Sequence, residues 1–408
     1  MGILGMMKEM KSKMAAGGHV IEFPDGHWSS AKFIDGNIML DALVKHLLGL
    51  IHTGMTDAGE VLEGIAQLET ADGEGWMKTW SAMGDRLKRR AEESEEKQKL
   101  VSASSAYLRA STYYRVSVMY THDDTDSRMK KYMQESMDCY EKYLEYSGYP
   151  GEYVEIPYED TYLPGHFYRS SVAEKKAPLL ILTPGRDTFA EDTRWVYDEA
   201  LKRGIHCLVY DGPGQGSALR IQGLKFRPDW ENVLTPVIDF ALTKEGIDPE
   251  RIAIMGMSFG GFLSPRAAAF DKRVKLCIVD PGNLNWGGNF ADIFSKVKKI
   301  PKRLRPAAVE NMMQDYCWKH GTDMKNLIPE LRKYDNTDII DQVTCHMIVL
   351  DGTAEVTPGE AIKSYDALRN CEKDYILFDE ETTAQSHTQM GGYAPAAEIL
   401  FDRIGEYL

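Results

Sequence analysis

Apolar side chains return every three or four positions along IMLDALVKHLLGLIH at 38–52, a spacing that predicts an amphipathic helix. The same period runs through residues 76–99, through SASSAYLRASTYYRVSVMY at 102–120 and through SRMKKYMQESMDCYEKYLEY at 127–146. Between them RLKRRAEESEEKQK, at 86–99, mixes charge signs four residues apart, as a solvated helix face does. Residues 1–150 therefore read as a helical region. No repeat is visible within it.

The pattern changes near residue 150. EYVEIPYED and GHFYRSS predict an antiparallel pair. Short apolar runs follow, each closed by a Gly, Pro or acidic turn: APLLILTPG, GIHCLVYDGPG, RIAIMGMS, VKLCIVDPG, CHMIVLDGT and KDYILFDEE. Helical stretches at 190–203, 229–245, 259–270 and 357–370 separate most of them. Continuous apolar strands alternating with helices imply an α/β class, with a mostly parallel, doubly wound sheet covered on both faces across 151–408. Functional groups of such a sheet gather beyond the carboxyl ends of its strands. A helical interruption at about 283–341, carrying Trp286, Phe290, Met312, Met313, Tyr316 and Trp318, reads as a cap insertion. Such apolar residues suit a flat substrate, although they serve equally as plain core.

Composition narrows the partners. Apolar residues make up 43% and charged residues 27%, and the net charge of −14 argues against a nucleic-acid surface or an anionic membrane. The 38–52 segment contains Asp41, Lys45 and His46 and is too short to span a bilayer. MGILGMMKEM lacks the apolar core of a secretory signal, and it shares only Gly2 with a myristoylation start, since position 6 is Met6. The six cysteines (139, 207, 277, 317, 345 and 371) are scattered without a Cys-x-x-Cys pair. A reducing, cytoplasmic setting is expected, without a structural metal or disulfide framework.

The chemistry centres on Gly256-Met257-Ser258-Phe259-Gly260, followed by Gly261. A serine on a tight strand-to-helix reversal is lifted above the sheet edge, and the helix N-terminus favours negative charge developing there. A serine nucleophile needs a base, and the base needs an orienting acid, in the chain order Ser, acid, His. His387 follows the YILFDEE run in the required order. His346 lies inside an apolar strand and reads as core, while His320 belongs to the cap. DGTAEVTP offers two acids, Asp351 at the strand end and Glu355 further into the loop. An oxyanion site needs two N–H donors. Phe259 supplies one. TPGRDTFAED supplies the other, with Gly185 allowing close approach, Arg186 preferred as donor and Asp187 next; the side chains of Arg186 and Asp187 are expected to be solvated.

Taken together, TPGRDTFAED, YDGPGQGS at 210–217, GMSFGG, LDGTAEVTP and AQSHTQMGG resemble an α/β-hydrolase family. It contains 2,6-dihydroxypseudooxynicotine hydrolase, the fungal polyketide-shortening hydrolases and the FrsA-like esterases. YDGPGQG is the most specific of these motifs, and the likeness covers most of residues 75–408. The resemblance implies an α/β-hydrolase fold with Ser258 as nucleophile, Glu355 as acid and His387 as base. The family usually places Asp at the acid position. Glu is one methylene longer, which keeps Asp351 as the alternative. A small-molecule substrate held near Gly185, Asp187 and Trp286 is expected, the triad chemistry requires no metal or organic cofactor, and the resemblance implies cleavage of a C–C bond next to a carbonyl, with a carboxylic ester or an acyl-peptide bond as the alternative. N-terminal helices lying over the site mouth, and a homodimer, are also implied. A non-catalytic binding scaffold is the reading of another class.

Overall fold

The computed structural model describes residues 23–408. Gly2 and Met6, on which the expectation about the amino terminus rests, lie outside the described residues.

An N-terminal helical region comprises α1 (Ile38–Gly49), α2 (Ala58–Ala66), α3 (Gly73–Glu96), α4 (Leu100–Ser117) and α5 (Ser127–Ser147). Polar side chains cap the starts of several. Asn37, Asp72 and Asp126 each accept a backbone N–H of the first turn and Asp57 accepts two, which removes unmet donors there. Helix and strand then change over at Gly151.

The strands are β1 (Gly151–Tyr158), β2 (Thr161–Tyr168), β3 (Ala177–Thr183), β4 (His206–Tyr210), β5 (Ile247–Met257), β6 (Val274–Asp280), β7 (His346–Gly352) and β8 (Lys373–Phe378). They form one sheet of 8 strands in the order β1-β2-β4-β3-β5-β6-β7-β8. β2 pairs antiparallel with β1 and β4, and the remaining pairings are parallel. Helices α6 (Arg194–Lys202), α7 (Gly216–Arg220), α8 (Glu231–Ala241), α9 (Phe259–Phe270), α13 (Glu360–Ala367) and α14 (Tyr393–Ile404) belong to this half. The interruption before β7 holds α10 (Trp286–Lys298), α11 (Ala307–Lys319) and α12 (Leu327–Leu331).

Alternation along the central strands feeds two cores. Leu180, Leu182, Val209, Met255, Ile278 and Leu350 face one way, and Leu179, Ile181, Leu208, Ile254, Val279 and Val349 face the other. Because both faces are buried, the strands read as continuous apolar runs. The first core also takes in Leu40, Leu47, Trp76, Trp80, Tyr113 and Tyr140. The N-terminal helices therefore share a hydrophobic core with the sheet.

Polar groups join the two parts as well. The Arg115 guanidinium on α4, fully buried, donates to Asp192 at 2.8 Å, and Asp192 lies just after the TPGRDTF loop. Arg220 donates to the Val118 carbonyl, and His46 Nδ1 lies 2.8 Å from the Tyr393 hydroxyl. Removing one partner of a buried ion pair leaves an uncompensated charge, which costs about 3–5 kcal/mol. Arg115→Ala is expected to lose stability on that order, read as a lower denaturation midpoint in urea. An unchanged midpoint would mean that the pair contributes nothing to the joint.

Candidate active site

β5 ends at Met257 and α9 begins at Phe259, so Ser258 alone makes the turn, at φ 54° and ψ −119°. A non-glycine residue there is strained, and surrounding contacts must hold it. The Ser258 N–H donates to the Asp280 carbonyl at the end of β6, at 2.5 Å. Backbone presses in on every side. A Cβ at Gly256 would overlap the Gly260 carbonyl, one at Gly260 the Thr183 carbonyl, and one at Gly261 the Pro281 carbonyl. The spacing of glycines in GMSFGG thus follows from close packing around one hydroxyl.

His387 stands beyond β8, on a loop bent through positive φ at Thr388 and Gln389. Its Nε2 lies 2.9 Å from Ser258 Oγ, and its Nδ1 lies 2.6 Å from Glu355 Oε1. A carboxylate only accepts, so Nδ1 carries the proton and Nε2 accepts from the serine hydroxyl. Glu355 is buried, and its Oε1 also accepts the N–H groups of Val356 and Thr357, at 2.6 and 3.3 Å. Burial works against the Glu355 charge, but the neighbouring imidazole and these donors outweigh it, leaving the carboxyl below its ordinary range. At His387 burial opposes protonation. The Glu355 charge and hydrogen bond, aided by Asp280 and Asp187, reverse this and raise its pKa.

Of the two candidate acids, Glu355 is the one brought to His387. The Asp351 carboxylate accepts the Tyr375 hydroxyl at 2.6 Å and the Gly352 N–H at 2.8 Å instead. The longer glutamate fits because it springs from the loop past β7 rather than from the strand end, and the backbone N–H groups after it hold its carboxylate.

The TPGRDTF loop lies against the serine. A Cβ at Gly185 would stand 2.8 Å from Ser258 Cβ, so only glycine permits this approach. Among the described residues, neither the Phe259 nor the Arg186 N–H has a hydrogen-bond partner. The loop is clamped from the YDGPGQGS segment. Gln215 Nε2 donates to the Pro184 and Gly185 carbonyls at 2.6 and 3.3 Å, and Asp211 accepts the Ala190 N–H at 3.0 Å. That clamp was missed as a role in the sequence, although its motif stood out.

The expected solvation of the Arg186 side chain is corrected, while Asp187 is 28% exposed and also ion-paired. Arg186 is 5% exposed and donates to Asp315 on α11, while its guanidinium lies 3.9 Å from the Tyr316 ring centroid. Asp187 pairs with Lys319 at 2.5 Å, and the Lys319 side chain is fully buried. Asp315 and Lys319, four residues apart on α11, thereby fasten the cap to the loop. Their spacing was visible, but their partners are over a hundred residues away.

Four further residues complete the picture. Trp286 is buried against Phe259, centroid to centroid 4.0 Å, and stacks on Tyr316. His320 lies in the same aromatic cluster, and burial, with Arg186 and Lys319 nearby, pushes its pKa well down, so it stays neutral. His346 is corrected from core to half-buried: it opens β7, pairs with Asp374 at 2.8 Å and stacks on Tyr407. Asp280, absent from the sequence reading, is fully buried with no partner for either carboxylate oxygen among the described residues. Burial pushes its carboxyl up to about 7. Among the described residues no helix is long and apolar enough to cross a membrane.

Comparison with known proteins agrees with this architecture. A hydrolase of Aspergillus aculeatus, acrC, is 38% identical over 245 residues, covering 55% of this chain and 57% of its own. The 20-hydroxy-prefusarin hydrolase of Gibberella moniliformis is 34% identical over 250 residues, 59% of each chain. The chain thus spans less than two thirds of the length of both. The crystal structure of 2,6-dihydroxy-pseudo-oxynicotine hydrolase superposes with a TM-score of 0.72 over 88% of this chain and 95% of its own, at 17% identity, and shares the α/β-hydrolase fold. The profile described as "Esterase FrsA-like" matches residues 66–336, most of the sheet, the serine turn and the cap included. This chain belongs to the FrsA-like esterase family.

Proposed function

We propose that the protein is a serine hydrolase in which Ser258 is the nucleophile, His387 the base and Glu355 the orienting acid. The observation that carries this reading is the unbroken hydrogen-bonded path from Glu355 through His387 to Ser258, at 2.6 and 2.9 Å, ending on the strained turn. Ser258 attacks a substrate carbonyl while its proton passes to His387 Nε2. Glu355 balances the imidazolium and fixes the tautomer. The free N–H groups of Phe259 and Arg186 take up the charge on the tetrahedral oxygen, where each such donor typically contributes ~3–4 kcal/mol. As the intermediate collapses, His387 returns the proton to the departing group. Water then cleaves the acyl-serine with His387 as base again. Gly185 and Asp187 bound the carbonyl side of the site, and Trp286 backs the wall behind Phe259.

The departing atom is carbon in our reading. The substrate is an aromatic or polyketide-like ketone, and cleavage falls between its carbonyl and a carbon able to hold an electron pair. Supporting this are the names of two similar proteins, which act on 20-hydroxy-prefusarin and on a pseudo-oxynicotine. The aromatic cluster of Phe259, Trp286, Tyr316 and Phe226 beside the serine agrees with it. The esterase description of the family favours a second reading, a carboxylesterase on the same three residues. Mass spectrometry of products from matched aryl β-diketones and aryl esters separates the two. Cleavage of the ester alone, with the diketone untouched, discards the carbon–carbon reading.

Ser258→Ala and His387→Ala are expected to lower kcat by at least about a thousandfold, and a fluorophosphonate probe should label the native protein but not Ser258→Ala. Glu355→Gln should cost a hundredfold or more, on the order seen when such an acid is neutralised. Asp351→Asn should leave kcat within about threefold, since its partner is Tyr375. Full activity in Glu355→Gln would discard the acid assignment. The base must be neutral to act, and its pKa is raised, so kcat/KM should climb with pH through a midpoint above the usual imidazole value of about 6.5. Glu355→Gln removes the charge holding that proton, so the remaining activity should rise at lower pH. A midpoint that stays put in this variant contradicts the pairing.

A further inference from the structure

Away from Ser258, a cavity of about 310 Å³ opens where α5 crosses the β1–β2 hairpin and meets the segments after β3 and β4. Its walls include Glu141, Tyr153, Tyr162, His166, Glu191 and Asp211. Asp138 adds another carboxylate, and no Lys or Arg is among the lining residues. The volume sits at the lower edge of what small-molecule sites occupy, roughly 300–1,000 Å³.

The polar groups are only partly matched. His166 is 5% exposed, and its Nε2 meets Glu141 Oε1 at 2.9 Å. Its Nδ1 lies 3.7 Å from Glu191 Oε1 and has no hydrogen-bond partner among the described residues. Glu191 is buried as well, and its Oε2 also lacks a partner among the described residues. The buried Arg115 guanidinium directs its hydrogen bonds to Asp192, Ser111 and Thr112 rather than to Glu191. Asp211 is held by the Ala190 and Ser217 N–H groups, and burial together with the Glu191 charge raises its carboxyl above the ordinary range. Unmatched buried acceptors of this kind are rare and costly.

We propose that this cavity is a binding site for a small organic ammonium of arylalkylamine size, its N–H donors meeting Glu191 and Glu141 and its ring lying against the wall that Tyr153 and Tyr162 form. A bare metal ion does not suit the walls: among the described residues no three His, Cys, Asp or Glu side chains are grouped to ligate one. An ammonium spreads its charge over several N–H donors, tolerates longer separations and gains from tyrosine faces. Asp211 links this wall to the clamp on the TPGRDTF loop, so an occupant would lie one hydrogen bond from the loop's far end. The site stands independently of the reaction proposed for Ser258.

Isothermal titration of the full chain with tyramine, and with its neutral counterpart tyrosol, tests the site. Native protein and Ser258→Ala should both bind tyramine saturably, and tyrosol at least tenfold more weakly. Glu191→Gln should weaken tyramine at least tenfold. Glu141→Gln, altered at a carboxylate that is 48% exposed and so tolerant of change, should do the same while leaving the thermal midpoint in place. Absence of saturable binding overturns the proposal. So do equal affinities for amine and alcohol, or tyramine binding untouched by both variants. Magnesium binding that depends on Glu191 without any tyramine binding overturns it too.

Discussion

Everything at the serine depends on backbone packed against backbone. Ser258 is held at φ 54° because β5, β6 and the start of α9 converge there with no side chains between them. Gly256, Gly260 and Gly261 touch carbonyl oxygens that a methyl group would strike, and Gly185 brings a second loop to the serine itself. The resulting turn does two things at once. It lifts one hydroxyl above the sheet, and it leaves the N–H at the head of α9 without a partner. A looser turn would relax the strain and bury both.

Around that turn, charge is arranged in two circuits, one buried and one partly exposed at its carboxylates. Glu355 and His387 form one, balanced so that the acid stays ionised and the imidazole holds a proton on the side away from the serine. Arg186, Asp187, Asp315 and Lys319 form the other, with two positive and two negative side chains facing one another between loop and cap. Mutual compensation is what makes such burial tolerable, because an unpaired charge at these depths would shift its pKa or unfold the site. Helix α11 is fastened to the same loop that Gly185 brings against the serine. The position of α11 and the geometry of that loop are therefore joined.

The N-terminal helices enter through the same logic of shared burial. Trp76, Trp80 and Tyr113 belong to the core that covers one face of the sheet, and Arg115 reaches from within it to Asp192. Trp28 donates to the Thr383 carbonyl, and Gln385 donates to the Ser29 hydroxyl, so the region also braces the loop that carries His387. Some of its buried polar residues bond within their own helix, as Thr112 and Ser117 do, and others reach a distant partner. On α4, Ser111 and Arg115 sit in what a helical wheel would assign to core, and their matches lie on α5 and past β3.

Much was legible from the chain alone where the physics is local. Apolar runs closed by turn residues marked the central parallel strands, because a strand buried on both faces has nothing polar to show. GMSFGG marked the turn because only glycine fits beside a crowded backbone, and order along the chain singled out His387. What the sequence left open depended on side-chain direction. Asp351 and Glu355 differ by four positions, and only the curl of the loop past β7 turns one toward His387 and the other toward Tyr375. Arg186 and Asp187 looked solvated because their counter-charges arrive from α11, and nothing in the residues around Asp280 announced that its carboxylate would be fully buried. Backbone conformation and apolar period are written in neighbouring residues, whereas burial of a charge is decided by whichever distant element comes to lie over it.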